Sequence, residues 1–354
     1  MATTTSSQAA PPALTFPRPI FAAISPHPFL QAHLSAGSTS SNTSLRANGR
    51  KTHEFRTPGL NTGSLTHCNG SAVVRLGNTS VVCGVRAEIL KEGDISGELA
   101  YTAPSSDADN TTDTDDSYSS EEEGNEIPHH GLVVPNIELS TGSTPVHVPG
   151  NAPSPYAQTL ISRIRSLVHS TRLLRARDLR ILHTPSANPE DPDAPAATQL
   201  KGYWVLYLDV FFISLDGNAF DAAWLAILAA LRDTLLPRAY FDEEYEGILC
   251  SDERGEARTL RLRTLPVAST FVVFEGRREE GQQGIGDKWV LSDADGFEEG
   301  VCAETVCVVV EGAGKDGVVA RVEKSGGGVI GREEMKELVE RAKKRWIEVT
   351  RLLG

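Results

Sequence analysis

The stretch Tyr203-Trp-Val-Leu-Tyr-Leu-Asp-Val-Phe-Phe-Ile-Ser-Leu215 runs into Asp216-Gly217-Asn218 and then into Ala219-Phe-Asp-Ala-Ala-Trp224. The first part is almost continuously apolar and bounded by turn residues, so it reads as a strand buried on both faces. The Asp-Gly-Asn turn supplies residues that tolerate positive φ. Beyond it Phe220, Trp224, Ile227, Leu228 and Leu231 recur at helical spacing, and Pro237 marks the end. A buried strand turning directly into an apolar helix is the seed of a mixed α and β fold, and it needs neighbouring strands on either side.

Those neighbours are visible upstream. Ser71-Ala-Val-Val-Arg-Leu76 and Ser80-Val-Val-Cys-Gly-Val85 flank Gly77-Asn78-Thr79, the pattern of a β-hairpin. Leu132-Val-Val-Pro-Asn-Ile137 is a further ordered segment. Ser154-Pro155 is a helix start, with Ser as cap and Pro in the first turn. Leu160, Ile164, Leu167, Thr171 and Leu174 follow at helical spacing.

Downstream, strands are expected around Leu260–Leu262, Phe271–Phe274, Trp289–Ser292, Val306–Val310 and Val318–Val322, with a turn at Ser325–Gly328. The last helix spans Arg332–Leu353. Met335, Leu338, Val339, Ala342, Trp346 and Val349 form its apolar stripe, acids open it, and Glu340–Lys344 is a favourable i,i+4 pair. Helices follow groups of strands, which is an α+β arrangement in two similar halves.

Two insertions interrupt the pattern. Residues 92–127 are dominated by Ser, Thr, Asp and Glu. Residues 184–200 are rich in Pro, Ala and Asp. The first is expected as a disordered loop insertion, because it cannot bury enough apolar surface to offset ordering entropy, and the second as a further inserted loop. Residues 1–44 are expected to be mostly disordered, with a short docking helix near 19–34 broken at Pro26 and Pro28. The remaining chain divides into 45–240 and 241–354.

The chain has 354 residues and a formal net charge of −13. Asp94–Glu126 alone holds 11 acids and no Lys or Arg, so the rest sums to about −2. A generally basic nucleic-acid coat is excluded, while a local basic face is not. No apolar run reaches the ~18 residues of a membrane span. Cys68, Cys83, Cys250, Cys302 and Cys307 show neither metal-pair nor disulfide-framework spacing and are expected as reduced, mostly buried thiols. The first 44 residues hold one basic residue, Arg18, which is too few for an Arg-rich transit peptide, so a cytosolic or nuclear protein is expected.

Generic chemistry is sparse. Gly326–Arg332 lacks the Lys-Ser/Thr of a phosphate loop and reads as a tight turn. Asp293, Asp295, Glu298 and Glu299 could hold a hard cation but read better as a solvated turn. There is no HExxH and no GxSxG, and His129-His130 is expected to be exposed. On the helix after Ser154, Arg165, His169 and Arg172 share a face by spacing, and Arg163 precedes them. Such a stripe can track a phosphate backbone, although alone it is more simply a solvated face.

Two segments are more specific. Asn48-Gly49-Arg50, Glu54-Phe55-Arg56, Gly63-Ser64, Asn69-Gly-Ser-Ala72 and Leu76-Gly-Asn-Thr79 with Val82-Cys-Gly-Val85 form the first. Leu208-Asp209 through Asp216-Gly217-Asn218 with Asp221-Ala-Ala223 forms the second. Together they resemble the RNase PH family, and within it the non-catalytic ring subunits of the eukaryotic RNA exosome. The Asp-Gly-Asn-x-x-Asp-Ala form is typical of the branch holding ribosomal RNA-processing proteins 42, 43 and 45. The resemblance covers roughly residues 45–354.

It implies an RNase PH fold, with a first half like domain 2 of ribosomal protein S5 and the RNase PH C-terminal half. It also implies a place in a six-membered ring through which single-stranded RNA threads to a separate nuclease. The implied partners are the other ring subunits, nearest of them ribosomal RNA-processing protein 46, and the cap subunits; neither DNA nor a membrane is implied. The implied places are nucleus, nucleolus and cytoplasm.

Active members carry a phosphate-binding Arg four residues after the Asp of the Asp-Gly turn, and a catalytic Asp about a dozen residues after the Asp that opens the acidic turn. Here those places are Phe220 and Thr305, with Glu304 beside the latter. No catalytic residue, cofactor or metal is therefore expected. Arg163, Arg165 and Arg172 are the candidates for lining the RNA path. The competing expectation is an active phosphate-dependent 3′-to-5′ exoribonuclease of the same fold.

Overall fold

The computed structural model describes residues 16–36, 45–95, 126–145, 147–148, 152–185, 198–277, 287–312 and 317–354. Most of the two insertions and of the N-terminal extension, where the disordered segments are expected, lies outside them.

Strands β1 (Pro58–Thr62), β2 (Gly70–Leu76), β3 (Thr79–Lys91), β4 (Val133–Leu139), β5 (Arg180–His183) and β6 (Gln199–Ser214) make the first sheet. Its order is β1-β2-β3-β6-β4, and β5 also pairs with β6. β4 runs parallel to β6, and the other pairs are antiparallel. The expected hairpin is the β2–β3 pair, closing with Leu76 opposite Thr79 and Gly77 at φ +59°. β6 is buried on both faces only in its first half. From Tyr207 onward it alternates, and Phe211 and Ile213 are exposed, because helices cover only one face of the sheet there.

Among the described residues the helices are α1 (Arg18–Ile24), α2 (Pro26–Ala36), α3 (126–130), α4 (Pro155–Ser170), α5 (Ala219–Asp233), α6 (Gly296–Val301) and α7 (Arg332–Leu353). The Ser154 side chain caps α4 by accepting from the Ala157 amide at 3.3 Å. Helix α5 is buried all round from Ala219 to Leu231. Its small residues let β2 approach closely, and a Cβ at Gly70 would overlap Thr234 and the Ala230 carbonyl.

The second sheet has the order β12-β11-β13-β14, from β11 (Val267–Glu275), β12 (Lys288–Ser292), β13 (Glu304–Glu311) and β14 (Val318–Ser325). Trp224 of α5 and Trp346 of α7 anchor this half by donating to the carbonyls of Pro266 (2.6 Å) and Leu265 (2.9 Å).

Four local expectations are corrected. No strand forms at Leu260–Leu262; after the hairpin of β8 (Ala239–Asp242) and β9 (Gly247–Cys250), the short strand β10 is Arg258–Thr259, paired with β7 (Leu235–Leu236). The N-terminal segment is two helices meeting at Ser25, and Pro28 lies in the first turn of α2, where no helical amide bond is lost. Leu30 and Leu34 of α2 are fully buried against Val272, Phe274, Leu291, Ala294 and Cys302 of the second half, worth about 1.5–3 kcal/mol for each leucine. Glu340 pairs at 3.8 Å with Lys343 rather than with Lys344. His130 is half-buried, stacked 5.3 Å from the Tyr203 ring, although His129 is exposed as expected.

Candidate functional site

The Asp216–Asn218 turn delivers α5 to the junction of the two sheets. Gly217 (φ +70°) and Asn218 (φ +51°) both take left-handed backbone. A Cβ on Gly217 would overlap the backbone of Ala294 and Asp295, so glycine is required by space as well as by conformation. The β2–β3 turn braces this corner: Asn78 Nδ2 donates to Asp216 at 3.1 Å, and Thr79 Oγ1 to the Gly217 carbonyl at 3.0 Å.

Phe220 is the second residue of α5 and is 4% exposed. The Arg163 guanidinium from α4 sits over its ring, 3.9 Å from the centroid. The same guanidinium donates through Nε to Glu323 of β14 at 2.9 Å. Arg163 is therefore spent on an aromatic face and a carboxylate of its own chain.

The register of the second sheet decides which residues share this face. Thr270 lies opposite Cys307, and Cys307 opposite Glu323. Asp221 accepts from the Thr270 amide at 2.8 Å and from its hydroxyl at 2.7 Å. Opposed residues point the same way and neighbours alternate. Thr305 thus lies on the same face as Thr270, Cys307 and Glu323, while Glu304 lies on the other. The Glu304 carboxylate packs beneath Gly326–Gly328, where a Cβ at Gly328 would overlap it, and its buried Oε2 accepts no hydrogen bond but has Lys324 Nζ at 4.0 Å.

The amide of Asn218, at the start of α5, donates to Glu299 Oε1 at 2.7 Å. A helix N-terminus favours an anion, and here the chain supplies its own. Burial pushes the Glu299 carboxyl up to about 7 despite that hydrogen bond. Tyr156, 44% exposed, has its phenol pushed up by partial burial and by the charge of Glu299, against the opposing field of Arg163.

The acidic turn is not the solvated turn expected from its composition. Asp293 is 1% exposed. It accepts from the Arg56 amide (2.8 Å), Arg56 Nε (2.9 Å), Arg56 Nη2 (2.7 Å) and Asn218 Nδ2 (2.6 Å), with Arg50 at 3.4 Å. Burial alone would raise its pKa, but the Arg56 hydrogen bonds and charge, with Asn218, hold it at about 2. Glu298 is fully buried against Arg46, whose Nη1 donates to the Ser292 carbonyl (2.7 Å) and whose Nη2, also on Glu298, donates to the Asp293 carbonyl (3.1 Å). Asp295 caps α6 in a capping box with Glu298. Among the described residues no cluster of three His, Cys, Asp or Glu side chains is arranged to hold a metal ion.

The three RNA-lining candidates are not brought together. Arg163 faces Phe220, and Arg165 is exposed two residues on, about 200° around the helix by its 3.6-residue turn. α4 ends at Ser170, and Arg172 is exposed with φ +47°, off the helical ridge. Local spacing also missed Arg46, Arg50, Arg56, Tyr156 and Glu323. Only the Asn48-Gly-Arg50 and Glu54-Phe-Arg56 patterns drew attention to part of that set.

Comparison with known proteins matches this arrangement to one family. The model for the 3′ exoribonuclease family, domain 1 (RNase PH), matches residues 54–237. Exosome complex component rrp43 of Schizosaccharomyces pombe is 26% identical over 333 residues, covering 94% of this chain and 97% of that one. This agrees with the patterns Leu132–Ile137 and Pro266–Phe271, which within the branch fit ribosomal RNA-processing protein 43 best. Exosome complex component Rrp42 of Methanothermobacter thermautotrophicus is 26% identical over 298 residues, covering 84% and 85%.

Among solved structures, the Archaeoglobus fulgidus exosome with RNA bound to the active site superposes with TM-score 0.62 at 19% identity, covering 95% of this chain and all of that one. An archaeal exosome core superposes at 0.57 and 20% identity, covering 96% and 98%. These two similarities establish the fold. With the family model spanning just over half of its length, the chain belongs to the RNase PH, or 3′ exoribonuclease, family.

Proposed function

We propose that the chain is a non-catalytic subunit of an RNA exosome core ring, which helps to assemble the ring and to guide RNA during 3′-to-5′ processing and decay, including rRNA maturation and mRNA turnover. One observation carries the non-catalytic part: every group that could receive a phosphate at the α5 corner is already occupied by the chain itself. Phe220 stands where active members hold a cation. Arg163 is taken by Phe220 and Glu323, and the α5 N-terminus is taken by Glu299. Phosphorolysis needs a held phosphate and a carboxylate or metal at the leaving oxygen. On β13 the face toward α5 offers Thr305 and Cys307, and the carboxylate beside them, Glu323 of β14, is already bound to Arg163. The ring role is supported by exosome components of similar length among the relatives and by the shared fold.

The partners in this reading are the other RNase PH-like ring chains, nearest of them ribosomal RNA-processing protein 46, the cap subunits, and single-stranded RNA. The places are nucleus, nucleolus and cytoplasm. Arg165 and Arg172 are exposed and suited to the RNA path, whereas Arg163 joins α4 to β14.

The test is the purified full chain with single-stranded RNA, inorganic phosphate and Mg²⁺. No nucleoside diphosphate is expected to be released. Phosphate-dependent release that Thr305→Ala or Phe220→Ala abolishes would overturn the non-catalytic reading.

A further inference from the structure

Past the end of α4, the segment Arg172–Arg180 carries Arg172, Arg175, Arg177 and Arg180, and the segment Arg258–Arg263 carries Arg258, Arg261 and Arg263. They lie side by side and run antiparallel. The Arg263 amide donates to the Leu173 carbonyl at 3.0 Å, and Arg258 Nη2 donates to the Asp178 carbonyl at 2.8 Å. That register sets Arg175 opposite Arg261. Arg177, Arg258, Arg261 and Arg263 are exposed, and Arg175 is half-buried. Arg180 is held by Glu126 at 2.6 Å.

Among the described residues no carboxylate stands within ion-pair distance of Arg175, Arg177, Arg258, Arg261 or Arg263. At this seam opens a cleft of about 380 Å³, lined by Asp178, Leu236, Arg258, Thr259, Leu260 and Arg261.

Five arginines thus share one seam with no ion-pair partner among the described residues, on a chain whose overall balance is −13, and Asp178 brings a single carboxylate to the cleft. A polyanion would supply the counter-charge that the chain does not. The arginines recur every two or three residues on two adjoining segments, which suits a ligand with regularly repeated single charges. Guanidinium forks match phosphate geometry. The lining holds no aromatic ring on which a base could stack, so the contact reads backbone and not sequence.

We propose that the seam between Arg172–Arg180 and Arg258–Arg263 binds the phosphodiester backbone of single-stranded RNA, independently of base sequence and apart from the Phe220 corner. The proposal deepens the ring reading, since it names where RNA touches this chain, but the seam itself is complete within the chain.

The experiment compares wild type with Arg177→Gln/Arg261→Gln/Arg263→Gln, all exposed positions, in the complex recovered with the full chain. Fluorescent oligouridylate and oligoadenylate are titrated across salt concentrations. Each phosphate contact on a single strand contributes a slope of about 0.7 in log K against log salt. Three lost contacts should make the slope shallower by about 2 and weaken binding ~100-fold at about 0.1 M salt, taking the 1 M intercept as unchanged. Both oligonucleotides should respond alike.

Unchanged affinity and slope would overturn the proposal. So would retained RNA affinity with loss of a protein subunit from the complex, which would make the seam a protein contact. If the wild-type chain is recovered without other ring chains, the ring reading fails, and the same titration on the full chain alone still decides the seam.

Discussion

Asp293 should be the residue on which the junction of the two halves depends. Replacing it by Asn preserves its size and suits its left-handed backbone (φ +52°), so the change isolates the charge. In the native chain the carboxylate is 1% exposed and receives three hydrogen bonds from Arg56 and one from Asn218, with Arg50 at 3.4 Å. Held at about 2 against an ordinary 3.8, it contributes about 2 kcal/mol of pH-linked stability. Because its folded pKa lies below the unfolded value, that stability is present above about pH 4 and is lost as the pH falls toward 2.

Asp293→Asn loses more than this share, since it leaves Arg56 and Arg50 buried without their counter-charge. Breaking a buried pair from one side costs roughly 3–5 kcal/mol. Urea unfolding at pH 7, followed by the fluorescence of buried Trp224 and Trp346, measures the loss. Arg56→Gln should cost a similar amount, and the double variant roughly 0.5–3 kcal/mol less than the sum of the two. A loss below about 0.5 kcal/mol in Asp293→Asn, or strict additivity with Arg56→Gln, would refute the assignment.

Glu299 works in the opposite sense: its folded pKa of about 7 lies above the ordinary 4.5, so stability should fall as the pH rises from about 4.5 to 7. Glu299→Gln should remove that fall and stabilise the chain at pH 8 by about 2–3 kcal/mol, read as a rise in the denaturation midpoint. Phe220→Arg, the residue of active members, should not restore phosphorolysis. It would place a second guanidinium in a nearly closed site beside Arg163 and destabilise by about 3 kcal/mol, both checked by unfolding and by nucleoside diphosphate release. Ser154→Ala should cost about 1 kcal/mol in the same unfolding assay, through loss of the cap on the Ala157 amide.

What was legible in the sequence was local. The Gly77-Asn78 turn, the Ser154 cap and the stripe of α7 each depend on residues a few positions apart, and each stands where its pattern places it. The buried network was not legible, because Asp293 meets Arg56 across 237 positions and Glu298 meets Arg46 across 252. A run of acids looks solvated until its partners are known. Helix spacing likewise placed Arg172 on a face with Arg165, but the helix stops at Ser170 and the left-handed Arg172 leaves the ridge. The apolar run of β6 concealed its own asymmetry, since Phe211 and Ile213 look like core by composition yet face outward. The Phe220 corner was anticipated through resemblance. The occupation of that corner by Arg163, Glu323 and Glu299 is a property of three dimensions.

The central claim is membership of a hetero-oligomeric ring. Its most direct test is the native mass and protein composition of the complex recovered with a tagged copy from cell extract. A particle many times the mass of this chain, holding several different RNase PH-like proteins, is the expected result. A monomer, or a ring built only from copies of this chain, would contradict it.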